Sequence, residues 1–251
     1  MIFRHLKTKH GYEIDGLWYP RVTSICGIIA KPGLEKWLAN QESFSAMQKK
    51  RKRITDWGNL IHNTVEKILL GKKPRIAPLI QPSIDAFSDW LKNHHFKIWD
   101  IEQQTLSKEH GYAGTFDALG ELDGQLGILD IKTSQAIWDE YFIQTTAYTR
   151  AYNEQVLKKA VTNWVLRIDQ YQKCKLCGAK KREKAGQPEI KSGQKTCSHK
   201  WAAPKGKCEL KEVADQELYF DTFLNAKRLW EFSNRDWLSK IKNYPGRFEH
   251  I

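Results

Sequence analysis

The segment Gly111–Ser134, GYAGTFDALGELDGQLGILDIKTS, constrains the fold of this chain more than any other. Two apolar runs, Tyr112–Leu119 and Leu126–Ile131, flank a turn that contains Asp123-Gly124. That pattern predicts a β-hairpin. Asp117 stands near the end of the first run, and Asp130 and Lys132 close the second. Side chains alternate faces along a strand, so Asp130 and Lys132 point the same way while Ile131 turns into the core. Two acids and a lysine then converge at one end of the hairpin. Charge in such an apolar setting is costly unless it is paired or binds a metal.

Both outcomes are open on the hairpin alone. In one, the acids are salt-bridged to Lys132 at a sheet end. In the other, they serve phosphodiester hydrolysis, which needs a nucleophilic water, charge stabilisation on phosphate and help for the leaving oxygen. One or two divalent cations held between carboxylates supply all three. Mg²⁺ and Mn²⁺ prefer carboxylate, carbonyl and water oxygens, so Asp117, Asp130 and the Ile131 carbonyl are the candidate ligands. Lys132 would orient or deprotonate the water and counter phosphate charge.

The composition favours a polyanionic partner. The 251 residues carry 41 Lys+Arg against 29 Asp+Glu, a formal charge of +12, and include 10 Trp. A balance this basic suggests nucleic acid, whose bases can stack on exposed aromatics. The run KKRKR at 49–53 is either a solvated helix end or a phosphate-contacting patch. No apolar run approaches the roughly 20 residues of a membrane span. The N-terminus lacks the apolar core of a signal peptide, so a soluble intracellular, cytoplasmic or similar location is expected.

Around the hairpin the periodicities predict an alternation of strands and helices. A hairpin is expected over residues 2–19, from Ile2–Lys7 and Tyr12–Tyr19 with a turn near His10-Gly11. Helices are expected over 22–29, 34–47, 55–70, 83–94, 136–156 and 215–241. Strands are expected over 98–107 and 161–170, the latter paired by 209–213. On the helix at 55–70, His62 and Glu66 share a face four residues apart. Glu102 lies within a strand, and Gln144 and Tyr148 share one face of a later helix.

In order, the chain offers Gly58-x3-His62-x3-Glu66, Glu102, Gly114-Thr115-Phe116-Asp117, Asp130-Ile131-Lys132-Thr133-Ser134 and Gln144-x3-Tyr148. This ensemble resembles the RecB-type exonucleases of the PD-(D/E)xK nuclease superfamily. That group includes CRISPR-associated adaptation nucleases and the mitochondrial genome maintenance exonuclease. A weaker similarity extends to YPRVTSI at 19–25 and LEKW at 34–37. The resemblance implies an α/β restriction-endonuclease-like core, a central mixed β-sheet flanked by helices. It implies a Mg²⁺- or Mn²⁺-dependent deoxyribonuclease, favouring exonuclease action on DNA ends or single strands in repair, recombination or phage and plasmid DNA processing. His62 and Asp117 look like the metal ligands of the first two motifs, and Asp130 and Lys132 like the D/ExK pair. Gln144 and Tyr148 look like the helix motif that contacts DNA or supports the ligands. Glu66 and Glu102 would tune His62 or bind a second metal. Phe116 stands where the superfamily name places a proline. The alternative is a catalytically silent nucleic-acid-binding or structural subunit of a recombination or adaptation complex. The intact His62, Asp117, Asp130 and Lys132 set argues against it.

Residues 171–209 break the pattern, being rich in Lys and Gly and poor in aliphatics. They are expected to form a small Cys-rich insertion within a single domain spanning 1–251. Four of the five cysteines lie there or at its edge, at Cys174-x2-Cys177, Cys197 and Cys208. Clustered cysteines in an intracellular chain point to metal rather than disulfides. A structural Zn²⁺ held by these four is favoured over an iron–sulfur cluster. His199 is the candidate to replace Cys208, and Cys26 the candidate early ligand of a cluster.

Overall fold

The computed structural model describes residues 2–39, 41–184 and 188–246. Its first element is a helix, α1 (Ile2–His10), where the pattern predicts a strand. A hairpin does follow, in a different register. β1 (Gly11–Ile14) pairs antiparallel with β2 (Leu17–Pro20) around Asp15-Gly16. The two turn residues have φ of 50° and 77°. A two-residue hairpin turn of this kind needs positive φ at both positions, which Asp-Gly accepts at little cost. That turn leaves Ile2–His10 without a hairpin partner. Lys7, Lys9 and His10 then fall in a last helical turn, where cations suit the helix dipole.

Short helices α2 (Val22–Cys26) and α3 (Pro32–Ala39) lead to α4 (Phe44–Leu69), which is one uninterrupted helix. The pattern predicts two helices with the basic run between them. Lys and Arg are good helix formers, so KKRKR continues the helix instead of breaking it. The N-terminus of α4 is set by Ser43, whose hydroxyl accepts from the Ala46 N–H at 3.1 Å. Helix α5 (Gln81–His94) follows, and His95 at φ 48° ends it.

Three strands then form an antiparallel meander, β3 (Lys97–Ser107), β4 (Tyr112–Leu122) and β5 (Gln125–Lys132). Asp123 and Gly124, at φ 51° and 78°, turn β4 into β5. Helix α6 (Asp139–Gln155) crosses over, and β6 (Thr162–Lys173) returns parallel to β5. A small antiparallel extension, β7 (Lys180–Arg182) and β8 (Glu189–Lys191), grows from the far end of β6. β9 (Lys205–Glu212) comes back antiparallel along β6. The chain then enters α7 (Gln216–Leu238), capped by the Asp215 carboxylate accepting from the Leu218 N–H. The Cys-rich segment thus leaves and re-enters the sheet on two strands paired to each other.

The sheet is mixed and reads β3-β4-β5-β6 with β9 on the other edge of β6. Helices cover both faces. Val22, Ile25, Tyr112, Ile128, Ala147 and Phe223 join α2, α6 and α7 to one face. Ile61, Val65, Ile84, Phe87, Leu129 and Ile131 join α4 and α5 to the other. Ile128 and Leu129 are neighbours on β5 and go to opposite layers, as the period of two requires in a strand buried on both sides. Each fully buried aliphatic of this kind contributes about 1.5–3 kcal/mol. Among the described residues no helix is long and apolar enough to cross a membrane.

Candidate active site and Cys/His cluster

The β4–β5 ladder closes at Ala118↔Leu129. Asp117 and Asp130 occupy the next position, where the pairing has ended. There the Ile131 N–H donates to Asp117 Oδ2 at 2.5 Å, so a side chain replaces a backbone partner. Ile131 itself is buried in the apolar layer against α4. Asp130 is 2% exposed, and its Oδ2 lies 2.7 Å from Lys132 Nζ. The two groups form a close ion pair that is almost wholly withdrawn from solvent. Lys132 Nζ also stands 5.1 Å over the Tyr141 ring.

Two helices bring the remaining residues. From α6, Gln144 Nε2 reaches Asp130 Oδ1 at 3.5 Å and donates to Tyr148 Oη at 2.9 Å. This approach needs Gly114 on β4, where a Cβ would sit 2.3 Å from the Tyr148 ring. From α4, His62 Nδ1 lies 3.7 Å from Asp117 Oδ1. Gly58 lets that helix close on the loop after Lys132, since a Cβ there would meet Thr133 Oγ1 at 3.2 Å. Glu66 is half-buried one turn beyond His62. Glu102 is exposed, has φ 53° and falls between the pairs Ile101↔Ala118 and Gln103↔Phe116, opposite Asp117.

The charges are mutually dependent. Burial pushes the Asp130 carboxyl up to about 6, with Asp117 adding to the shift and Lys132 opposing it. Burial also opposes the charge on Asp117, but His62, Lys132 and the Ile131 N–H outweigh it and hold that carboxyl below its ordinary value. His62 and Lys132 each lose solvent, yet the neighbouring aspartates outweigh this and raise both. Glu102 is raised by burial and by the charges of Asp117 and Glu66. The site therefore holds two acids with opposite tendencies side by side, an arrangement typical of functional centres.

A cavity of about 760 Å³ opens over this floor. His62, Asp117, Asp130, Lys132, Gln144 and Tyr148 line it, and Glu66 and Glu102 stand outside it. One wall comes from α3 and α4, with Trp37, Gln41, Lys50 and Ile54. The insertion contributes Arg182, Lys184, Pro188 and Glu189 to the lining. The donor set fits a hard divalent cation: the carboxylates of Asp117 and Asp130 and the imidazole of His62. His62, Asp117 and Asp130 do not all bring ligand atoms within 4.8 Å of one another. The set is open on the cavity side.

In the insertion the ligand atoms of Cys174, Cys177, Cys197 and His199 all lie within 4.8 Å of one another. The Cys174 and Cys197 sulfurs are 3.9 Å apart, nearly twice a disulfide bond, and Cys177 Sγ is 3.4 Å from His199 Nδ1. A bridge between Cys174 and Trp201 brings the two segments together, with the Lys175 N–H donating to the Lys200 carbonyl at 2.8 Å. Burial works against a Cys174 thiolate, yet the N–H groups of Cys177 and Leu176 and the His199 side chain bring that thiol down to about 5. Burial and the two neighbouring thiols push Cys197 up to about 11.

Cys208 is not in this group, which corrects the expected ligand set. It sits on β9 opposite Ile168, packed against the apolar layer, and burial pushes its thiol up to about 12. Strand pairing carries it away from the finger, and His199 occupies the fourth position. Cys26 is likewise remote, buried in the layer beneath α2.

Four residues of the site's surroundings have no counterpart in the sequence reading: Asp169, Arg182, Lys184 and Tyr141. The signal for Asp169 was present. Arg167 and Asp169 stand two residues apart on one strand, which places both on one face.

No family model and no curated protein matches the chain. Among the solved structures similar to it are two of LHK-Exo. One is described as an alkaline exonuclease from Laribacter hongkongensis, the other as LHK-Exo in complex with dAMP. They are 10% and 11% identical to it, each match covers 88% of this chain and 94% of the other, and the TM-score is 0.31 in both cases. A likeness this slight carries no weight for function, which rests on the site's own residues.

Proposed function

We propose that this protein is a metal-dependent nuclease of the PD-(D/E)xK kind that hydrolyses DNA phosphodiester bonds, most readily at strand ends. The observation that carries the reading is the buried Asp130. Its carboxylate is 2% exposed, faces Lys132 at 2.7 Å and lies in the lining of a cavity that Lys50, Arg182 and Lys184 also line. A salt bridge alone would not need that geometry or that cavity.

Asp117, Asp130, the Ile131 carbonyl and His62 would hold Mg²⁺ or Mn²⁺. When bound, such an ion lowers the pKa of water and neutralises charge building on phosphate. The chain's own residues do the rest. Lys132 places an ammonium beside the reacting phosphate and orients the attacking water. Gln144 fixes Asp130 and is itself fixed by Tyr148. Asp117 holds His62 and, through the Ile131 N–H, the backbone of β5. Glu66 and Glu102 supply negative charge behind His62 and Asp117, which tunes the imidazole or assists a second ion. A cavity of this size falls in the range of sites for small ligands and suits a few nucleotides of a single strand better than a duplex. This favours exonuclease action on DNA ends or single strands.

Cys174, Cys177, Cys197 and His199 make a Cys₃His set, which suits a tetrahedral structural Zn²⁺. The same set, without Cys26, lacks the four thiolates common in iron–sulfur proteins. Metal analysis of the purified protein should return about one zinc per chain and no iron.

The decisive experiment is digestion of end-labelled single-stranded, duplex and closed circular DNA with Mg²⁺ or Mn²⁺, by the wild type and by Asp130→Asn. Cleavage of end-bearing DNA by the wild type alone supports the reading. Efficient cutting of closed circles overturns the exonuclease mode. Tight DNA binding with no cleavage by either protein overturns the nuclease reading in favour of a binding subunit.

A further inference from the structure

The insertion does more than carry the Cys/His cluster, because it also forms one wall of the cavity. It is tied to the core at Asp169, a β6 residue 1% exposed. Asp169 Oδ2 accepts from Arg167 Nη1 at 2.9 Å, from Arg182 Nε at 2.9 Å and from Arg182 Nη2 at 2.8 Å. Its Oδ1 lies 3.6 Å from Lys184 Nζ. Arg167 turns its other nitrogen to Glu209 at 2.9 Å.

These same cations hold the loop that follows Lys132. Arg167 Nη1 donates to the carbonyls of Ser134 and Gln135 at 3.4 and 3.2 Å. Lys184 donates to the Thr133 carbonyl, and Gln135 donates to Glu189 on β8. The insertion and the catalytic loop are therefore one connected structure.

The charges in it do not balance. Asp169 and Glu209 face Arg167, Arg182, Lys184 and, at the more exposed end, Lys207, so two carboxylates meet four cations. Lys184 has the longest ion pair of the three with Asp169, and it lines the cavity. Burial and the neighbouring arginines work against its charge. A half-buried cation with surplus charge at the edge of a cavity calls for an anion from within that cavity. Lys50 and Trp37 line the same cavity, and Lys50 Nζ stands 5.4 Å over the Trp37 ring, so a cation there is paired with an aromatic surface.

We propose that the Cys/His-bearing insertion is a substrate-binding wall, in which Lys184, positioned by Asp169, contacts a backbone phosphate of a single polynucleotide strand lying in the cavity that Lys50 and Trp37 also line. The identity of the strand rests on the nuclease reading, whereas the anion site itself does not.

The test uses the full chain and a fluorescein-labelled oligodeoxythymidylate, read by anisotropy at several salt concentrations without divalent ions, alongside cleavage kinetics. Lys184→Met keeps the apolar stem and removes the charge. It should weaken binding about tenfold, lower the slope of log affinity against log salt by about 1, and raise KM more than it lowers kcat. Lys184→Arg should restore the slope. Thermal melting and zinc content establish that both variants are folded. Unchanged affinity and slope in folded Lys184→Met, with a wild type that cleaves and an Asp130→Asn that does not, overturn the wall and leave the nuclease standing. A wild type that never cleaves, with the binding loss still present in Lys184→Met, overturns the nuclease and leaves the wall standing.

Discussion

The hairpin centre and the Cys/His cluster are both groups of metal-type ligands, and they differ in how far the protein closes them. The cluster brings four soft or borderline donors within 4.8 Å of one another, held by a strand-like bridge. Four protein ligands leave no position for water, the pattern of a structural zinc site. The hairpin centre brings hard oxygen donors and one imidazole to the floor of a cavity, and its three side-chain ligands do not all close to that distance. On the nuclease reading, the gap would leave room for water and for a phosphate. One centre would then be complete without substrate, and the other completed by it.

That contrast is most sharply tested by removing the charge proposed to act on phosphate. Lys132→Ala should cut the cleavage rate about a thousandfold, roughly 4 kcal/mol of barrier, while leaving zinc content unchanged. A matching loss of zinc would mean that the two centres are not separate. Brief chelation separates them differently. EDTA followed by desalting should abolish cleavage and let added Mg²⁺ or Mn²⁺ restore it, with zinc still bound by elemental analysis. Retained cleavage after complete removal of divalent ions would break the assignment of the hairpin centre.

The junction between the two regions should matter mainly for stability. Asp169→Ala leaves Arg167, Arg182 and Lys184 facing one another in a buried place. Breaking such a buried pair costs about 3–5 kcal/mol, which for a chain of this size lowers the melting temperature by on the order of 10 °C. A change of only a degree or two would show that the insertion is not braced at this point.

The smallest effect is the pH dependence of the metal-free protein. Folded Asp130 keeps its proton up to about 6, whereas an unfolded aspartate loses it near pH ~3.9. The folded state binds this proton more tightly, so Asp130's contribution to stability is complete below the unfolded value. It declines as pH rises from about 4 to about 6 and levels off above that. Asp117 is shifted the other way, and what it contributes is lost only at more acid pH. Denaturant melts between about pH 4 and about pH 6 should show that decline in the wild type and a smaller one, left to Glu102, in Asp130→Asn. A decline of equal size in the variant would assign it to another group.

The local parts of this protein were legible in the chain. Asp123-Gly124 marks the turn from β4 to β5, and alternation along β5 turns Ile131 inward between Asp130 and Lys132. The spacing of Gln144 and Tyr148 puts both on one helical face. These are statements about neighbours in sequence, which strand and helix periods settle. Where the reading failed, two local signals competed. The N-terminal hairpin turns at Asp15-Gly16 rather than at His10-Gly11, and the basic run propagates α4 rather than dividing it.

Only the tertiary structure decided what meets across the sheet. His199 rather than Cys208 completes the cluster, because β9 pairs with β6 and carries Cys208 into the core opposite Ile168. The cavity takes part of its lining from α3 and α4 and part from the insertion, segments more than a hundred residues apart. The Asp169 junction draws cations from two strands onto one buried carboxylate. Composition and spacing select the donor types, but which donors converge depends on strand order and register, and those are set by long-range burial of both sheet faces.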